Sequence, residues 1–108
     1  LPLLFARKEV FEWLKQGKKT IDVRKGTGKN GDFALFQCGP HILRFLIVKR
    51  EVGKLDDVVR LDNYLQIIPT AADVQDAINF FYRLYGACDG FFTAYHVRSL
   101  EHVAEKEK

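Results

Sequence analysis

Gly17-Lys18-Lys19-Thr20-Ile21-Asp22-Val23-Arg24 is the stretch on which the reading of this chain turns. It starts where a helical pattern stops and runs directly into an alternating one. Upstream, Val10, Phe11 and Leu14 form one apolar stripe with Trp13 at its margin, while Lys8, Glu9, Glu12 and Lys15 face outward, which predicts a helix over 7–16. Gly17 is placed to cap that helix in the left-handed conformation. From Lys19 to Lys25 the pattern has period two, with Ile21 and Val23 to one side and Thr20, Asp22 and Arg24 to the other, which predicts a strand. Lys15, Lys18, Lys19, Arg24, Lys25 and Lys29 surround the single carboxylate Asp22, a net +5 within fifteen residues against +3 for the whole chain. A site for an anion or a nucleotide needs such order. An exposed sheet face with one surface ion pair, worth roughly 0–1 kcal/mol, also accounts for it.

Outward from this segment, residues 2–6 read as a short first strand and 26–31, Gly-Thr-Gly-Lys-Asn-Gly, as a mobile loop with a turn signal at Asn30-Gly31. The loop lacks the spacing and the Lys-Ser/Thr ending of a P-loop. Strands follow over 32–38 and 41–52. Residues 55–67 carry apolar positions at spacings of three and four, predicting a partly helical stretch that Pro69 stops. Thr70 to Asp73 resembles a capping box for a helix over 71–85 that ends at Gly86, and residues 91–100 read as a last strand. The order β-α-β-β-β-α-α-β lacks the alternation of a doubly wound sheet. It predicts an α+β fold: a small, strongly curved sheet or barrel of about five strands, with two to four helices outside it and at its mouth.

Length and composition bound the rest. At 108 residues the chain is expected to form one domain over 1–100, with a charged, frayed tail over 101–108. No apolar run approaches the ~20 residues needed to span a bilayer, so no membrane partner is expected. The start, Leu1 to Ala6, is apolar but short and without a basic leader, which predicts no signal peptide. The chain has no Met, even at position 1, which predicts that it has been trimmed. Cys38 and Cys88 match no metal-ligand pattern and read as reduced, packed thiols of a cytoplasmic protein. His41, His96 and His102 share no metal spacing, so neither a metal nor a cofactor is expected; His96 reads as a rim residue. Ser99 lacks a nucleophile-elbow context. The aromatics of 80–95 read mostly as core, with Tyr82, Phe92 and Tyr95 the candidates for exposed stacking on a base. Residues 15–50 are net +7 and residues 51–79 net −4, so the chain can present a basic face despite its modest total.

The ordered set of a helix, Gly17-x-Lys19-Thr20-Ile21-Asp22-x-Arg24, Gly31-Asp32 opening the next strand, Ile47-Val48, Tyr64 with Ile68-Pro69 and Tyr85-Gly86 resembles the activating signal cointegrator homology (ASCH) family over about residues 3–98. The resemblance implies a PUA-like β-barrel with helices and a cleft, lined by the Gly-x-Lys-Thr strand, that binds RNA or other nucleic acid. Lys18, Lys19, Thr20, Asp22, Arg24, Lys25 and Lys29 are the expected binding residues, the lysines for phosphates and Asp22 with Arg24 for orientation or base reading. A small nucleotide is a further candidate ligand. One branch of the family, the bacterial N4-acetylcytidine amidohydrolases, is catalytic: a Lys and, three positions later, a Thr nucleophile share this strand, with a Glu from a later element. Lys19 corresponds to that Lys and Glu51 is the candidate for the Glu, but Asp22 stands at the Thr position, where a carboxylate cannot act as the hydroxyl nucleophile. The expectation is therefore a nucleic-acid-binding module. The enzymatic alternative is a hydrolase acting on a modified nucleoside with Lys19, Asp22 and Glu51 in its site. A protein-interaction role for the acidic region 51–79 is a third.

Overall fold

The computed structural model describes residues 3–101. Its elements are β1 (Leu3–Phe5), α1 (Lys8–Lys15), β2 (Ile21–Lys25), β3 (Phe33–Cys38), β4 (His41–Gly53), α2 (Leu55–Val58), α3 (Tyr64–Ile67), α4 (Val74–Tyr85) and β5 (Phe92–Ser99). The five strands form one sheet in the order β1-β3-β4-β5-β2. β1 runs parallel to β3 and every other pair is antiparallel. β4, 13 residues long, pairs with β3 through its first half and with β5 through its second, and a register shift lies between Ile47 and Lys49. Such a bulge adds twist and bend. The sheet curls into a half-barrel whose two edge strands, β1 and β2, are not paired with each other. Their gap is the open seam of the fold.

Cross-strand partners share a face, so the two faces can be read from the register. The series Phe36, Ala34, Phe45, Ile47, Val97 and Tyr95, with Leu4 and Leu14, packs one face. The series Ile21, Val23, Ala94 and Phe92 packs the other, under α2 to α4. β5 contributes to both cores, which is why Phe92 and Tyr95 are buried rather than exposed; Tyr82 is half exposed. The Gly17 cap forms as expected. Gly17 has φ +77°, its N–H donates to Leu14 O (3.2 Å) and the Lys18 N–H donates to Trp13 O (3.0 Å), the paired bonds of a Schellman motif.

One local expectation is refined and two are corrected. The partly helical stretch 55–67 consists of two short helices. Between them the buried Asn63 side chain accepts from the Arg60 N–H (2.8 Å) and donates to Val58 O (2.9 Å), taking over backbone bonds that a continuous helix would need. α4 starts at Val74 rather than 71, because the cap is Asp73. Its carboxylate accepts from the Asp76 N–H (2.8 Å), a side-chain N-cap three residues after the expected one, while the Asp76 carboxylate accepts from the N–H of Ala72, the residue before the cap (2.9 Å). The loop 26–31 is pinned rather than mobile. The Thr93 hydroxyl donates to Gly26 O (2.7 Å), the Lys29 N–H donates to the Tyr95 hydroxyl (2.8 Å), and Arg50 donates to the carbonyls of Lys29 (3.1 Å) and Gly31. Gly28 is required there: at φ +92° a Cβ would come within 3.0 Å of Thr93 and of the Tyr95 hydroxyl.

At the C-terminal side, Glu101 is anchored rather than frayed, accepting from the Arg44 Nε (2.9 Å) and N–H (3.0 Å). The remainder of the expected tail, with His102, lies outside the described residues, as does Pro2 of the expected first strand. Cys38 is half-buried and Cys88 buried, both as free thiols. No helix among the described residues is long and apolar enough to cross a membrane.

Candidate functional site

Asp22 and Arg24 lie on β2 two residues apart, so both side chains leave the same face. The partner of Asp22 across β5 is Tyr95, whose ring belongs to the core, so Asp22 is carried inward and is only 3% exposed. A buried carboxylate needs a partner. Arg24 supplies it: its Nε donates to Asp22 Oδ2 at 2.7 Å, and the Arg24 side chain remains 27% exposed. The same Arg24 side chain lines the cavity at the open seam.

Lys19 enters from the turn before β2. It is 4% exposed and its Nζ donates to Ile67 O, the last residue of α3, at 2.6 Å. Burial pulls its pKa from 10.5 to about 8; the Asp22 carboxylate pushes it back up and the Arg24 guanidinium down. At neutral pH Lys19 is therefore still mostly an ammonium, but one that loses its proton within reach of mild base.

These three residues line a cavity of about 210 Å³ at the seam. The start of α1 contributes Arg7 and Val10, β1 contributes Phe5, and α4 contributes Phe80, Phe81, Leu84 and Tyr85. Phe80 and Phe81 stand edge to face, with ring centroids 5.5 Å apart. A second cavity of about 470 Å³ continues along the seam. Leu3, Leu4 and Phe5 form one side and Arg24 to Lys29 with Tyr95 the other. Phe5, 68% exposed, and Arg24 belong to both cavities.

Of the expected binding residues, Lys19, Asp22 and Arg24 meet in the first cavity, and Arg24, Lys25 and Lys29 in the second. The Lys25 ammonium is held by Ala87 O (3.1 Å) and lies 6.0 Å from the Tyr85 ring. Lys18 and Thr20 are exposed and line neither cavity; the Thr20 N–H donates to Gln66 O. Glu51 is not brought to Lys19 and Asp22. Its cross-strand partner Ala94 lies on the opposite sheet face from Tyr95, and its carboxylate binds Lys49 (2.9 Å) and Arg60 (3.1 Å) and lies 3.5 Å from His96 Nε2. The Lys49 hydrogen bond, against the opposing effect of burial and with the help of Arg60, holds the Glu51 pKa below its usual value. His96 is half-buried rather than on the rim, with its Nε2 shielded and without a hydrogen bond of good geometry.

Arg7, Phe5 and the α4 aromatics of the cavity wall, Phe80, Phe81 and Tyr85, were not among the candidates from sequence. Arg7 precedes the helical stripe and carries no motif, and the α4 aromatics read as core because they are core on one side and cavity wall on the other. Among the described residues no cluster of three or more His, Cys, Asp and Glu could hold a metal ion.

The fold is similar to that of the crystal structure titled hypothetical protein PH0355, with a TM-score of 0.74 and 17% sequence identity over 91% of this chain and 97% of that one. The likeness is one of fold. No protein-family model matches the chain, and no curated protein matches it in sequence.

Proposed function

We propose that this chain is an ASCH-type domain of PUA-like fold that binds single-stranded nucleic acid, RNA above all, in the cleft along the seam. The observation that carries the reading is the Asp22–Arg24 pair at the floor of an aromatic-walled cavity. The Gly17-x-Lys19-Thr20-Ile21-Asp22-x-Arg24 segment, by which the chain resembles that family, contributes Lys19, Asp22, Val23 and Arg24 to the cavity wall. At about 210 Å³ the space is below the ~300–1,000 Å³ of sites for drug-sized ligands and suits one base rather than a duplex. Phe80, Phe81 and Tyr85 offer apolar contact to a flat ring. Asp22 accepts from an exocyclic amino group, and the Arg24 guanidinium donates to a base edge or a phosphate. Arg7 and Lys19 add positive charge inside the cleft, and Lys18, Lys25 and Lys29 add it around the rim, which favours a polyanion through counterion release.

The test is a salt titration of binding to single-stranded oligoribonucleotides, with the deoxy forms and duplexes alongside. Affinity for single strands should fall steeply with salt and be reduced by Arg24→Ala together with Lys19→Ala in protein shown to be folded. Absent affinity, or affinity that the double substitution leaves unaltered, contradicts the proposal.

One observation favours a second reading, a hydrolase acting on a modified nucleoside. A buried lysine brought down to about pKa 8 beside a carboxylate is a workable general base. In that reading Lys19 and Asp22 act without Glu51, which lies on the other sheet face. Incubation with N-acylated nucleosides decides it: turnover that Lys19→Met abolishes promotes this reading, and no product removes it.

A further inference from the structure

The two cavities are not independent. They meet at Phe5 and Arg24, and their combined walls run the length of the seam from α4 to the loop 26–31. Their chemistries differ. The first has aromatic walls and the seam's carboxylate, Asp22. The second is lined by no acidic residue, and its polar wall is Arg24, Lys25, Lys29 and the backbone of Gly26 to Gly28. That loop is not loose. Thr93, Tyr95 and Arg50 hold it in place, and Gly28 lets its backbone lie directly on Thr93 and Tyr95. A preformed basic wall costs little ordering when a ligand arrives. At the junction Arg24 has its Nε committed to Asp22, and its side chain lines both spaces. Phe5, a large exposed ring, lines both spaces with it.

We infer that the seam is a two-subsite site for a phosphodiester-linked step of single-stranded nucleic acid: one base in the first cavity, the linking phosphate on the Arg24 guanidinium, and the adjoining nucleotide in the second cavity against Phe5 and the Gly26–Lys29 wall. The inference rests on the reading of the first cavity as a base pocket and goes beyond it by excluding the free nucleoside and the mononucleotide as the preferred ligand. A mononucleotide fills the first cavity and leaves about 470 Å³ of basic, ring-capped space vacant. A polynucleotide fills both. Lys29 lines only the second cavity, so it separates the subsites.

The experiment compares adenosine and uridine 3′- and 5′-monophosphates with the corresponding dinucleoside monophosphates, titrated by calorimetry into the whole protein and into its Lys29→Glu variant. The best dinucleotide should bind about tenfold more tightly than the better mononucleotide, the gain expected of one more stacked base. Lys29→Glu is an exposed substitution and should reduce that advantage to about threefold or less. Dinucleotides that bind no better than mononucleotides overturn the inference while leaving the base pocket standing. So does an advantage that Lys29→Glu leaves intact. Failure of both ligand classes to bind overturns the inference and the base pocket together.

Discussion

Replacing Lys19 by Met keeps the length of a buried side chain and removes its ammonium. In the fold Lys19 is 4% exposed and its pKa has dropped from 10.5 to about 8, chiefly through burial. The unfolded chain holds the proton up to about pH 10.5; the folded chain releases it near pH 8. Between those values the unfolded state binds more protons, so stability rises with pH across this window and is lowest below it. At roughly 1.36 kcal/mol per pH unit, the drop from 10.5 to about 8 corresponds to about 3 kcal/mol of stability withheld at neutral pH and recovered by about pH 10.5. Lys19→Met removes that dependence. It also leaves Ile67 O without its donor, a loss of about 1–3 kcal/mol that does not vary with pH. At pH 7 the two effects offset, and the variant should lie within about 2 kcal/mol of the wild type. The diagnostic quantity is the difference between the two proteins as a function of pH, from which titrations common to both cancel. Urea denaturation at intervals from pH 6.5 to 10.5 should show the wild type gaining about 3 kcal/mol on the variant, a midpoint change of roughly 1–3 M. A difference that stays flat within about 0.5 kcal/mol would refute the reasoning, because the ammonium would then be as well solvated in the fold as outside it. A difference of opposite slope would show that Asp22 outweighs burial.

Two further outcomes test the parts that position the cleft. Asn63→Ala removes both side-chain hydrogen bonds, one buried and one part-buried, that separate α2 from α3 and should cost about 2–3 kcal/mol by chemical denaturation; a cost below about 0.5 kcal/mol would mean the break between the helices has another cause. Gly28→Ala places a Cβ 3.0 Å from Thr93 and Tyr95 in a left-handed backbone and should cost about 1–2 kcal/mol. It should also speed amide exchange at Lys29 by at least tenfold as its bond to the Tyr95 hydroxyl opens, and unchanged exchange there would contradict the pinned loop.

Much of the architecture was legible in the sequence because it is written in local periodicity. The Gly17 cap, the alternating strand after it and five strands in the right places follow from patterns within ten residues of one another. What failed to show depends on contacts across the chain. The apolar spacing of 55–67 is helical, but the Asn63 side chain outcompetes the backbone once buried between Val58 and Arg60. The glycines of 26–31 suggested mobility, yet the groups that pin them, Arg50, Thr93 and Tyr95, are remote in sequence. The site was half legible for the same reason. Lys19, Asp22 and Arg24 announce themselves by charge and spacing on one strand. Their surroundings, Phe5 and Arg7 on one side and the α4 aromatics on the other, meet them only because the strand order leaves β1 and β2 as the two edges of the seam. Glu51 was drawn into the candidate set through a resemblance and lies on the other sheet face, a matter of strand register after the bulge in β4.

The central claim is that a base sits in the cavity floored by Asp22 and Arg24. Its most direct test is a titration of isotope-labelled protein with a short single-stranded oligoribonucleotide, followed by the backbone and side-chain resonances of the seam. Saturable shifts should be confined to β2, the start of α1, the α4 aromatics and the 26–31 loop, including the Arg24 Nε–H, and should be lost on Arg24→Ala. Shifts centred on the exposed faces of β3 and β4, or none at all in the seam at saturating oligonucleotide, would contradict it.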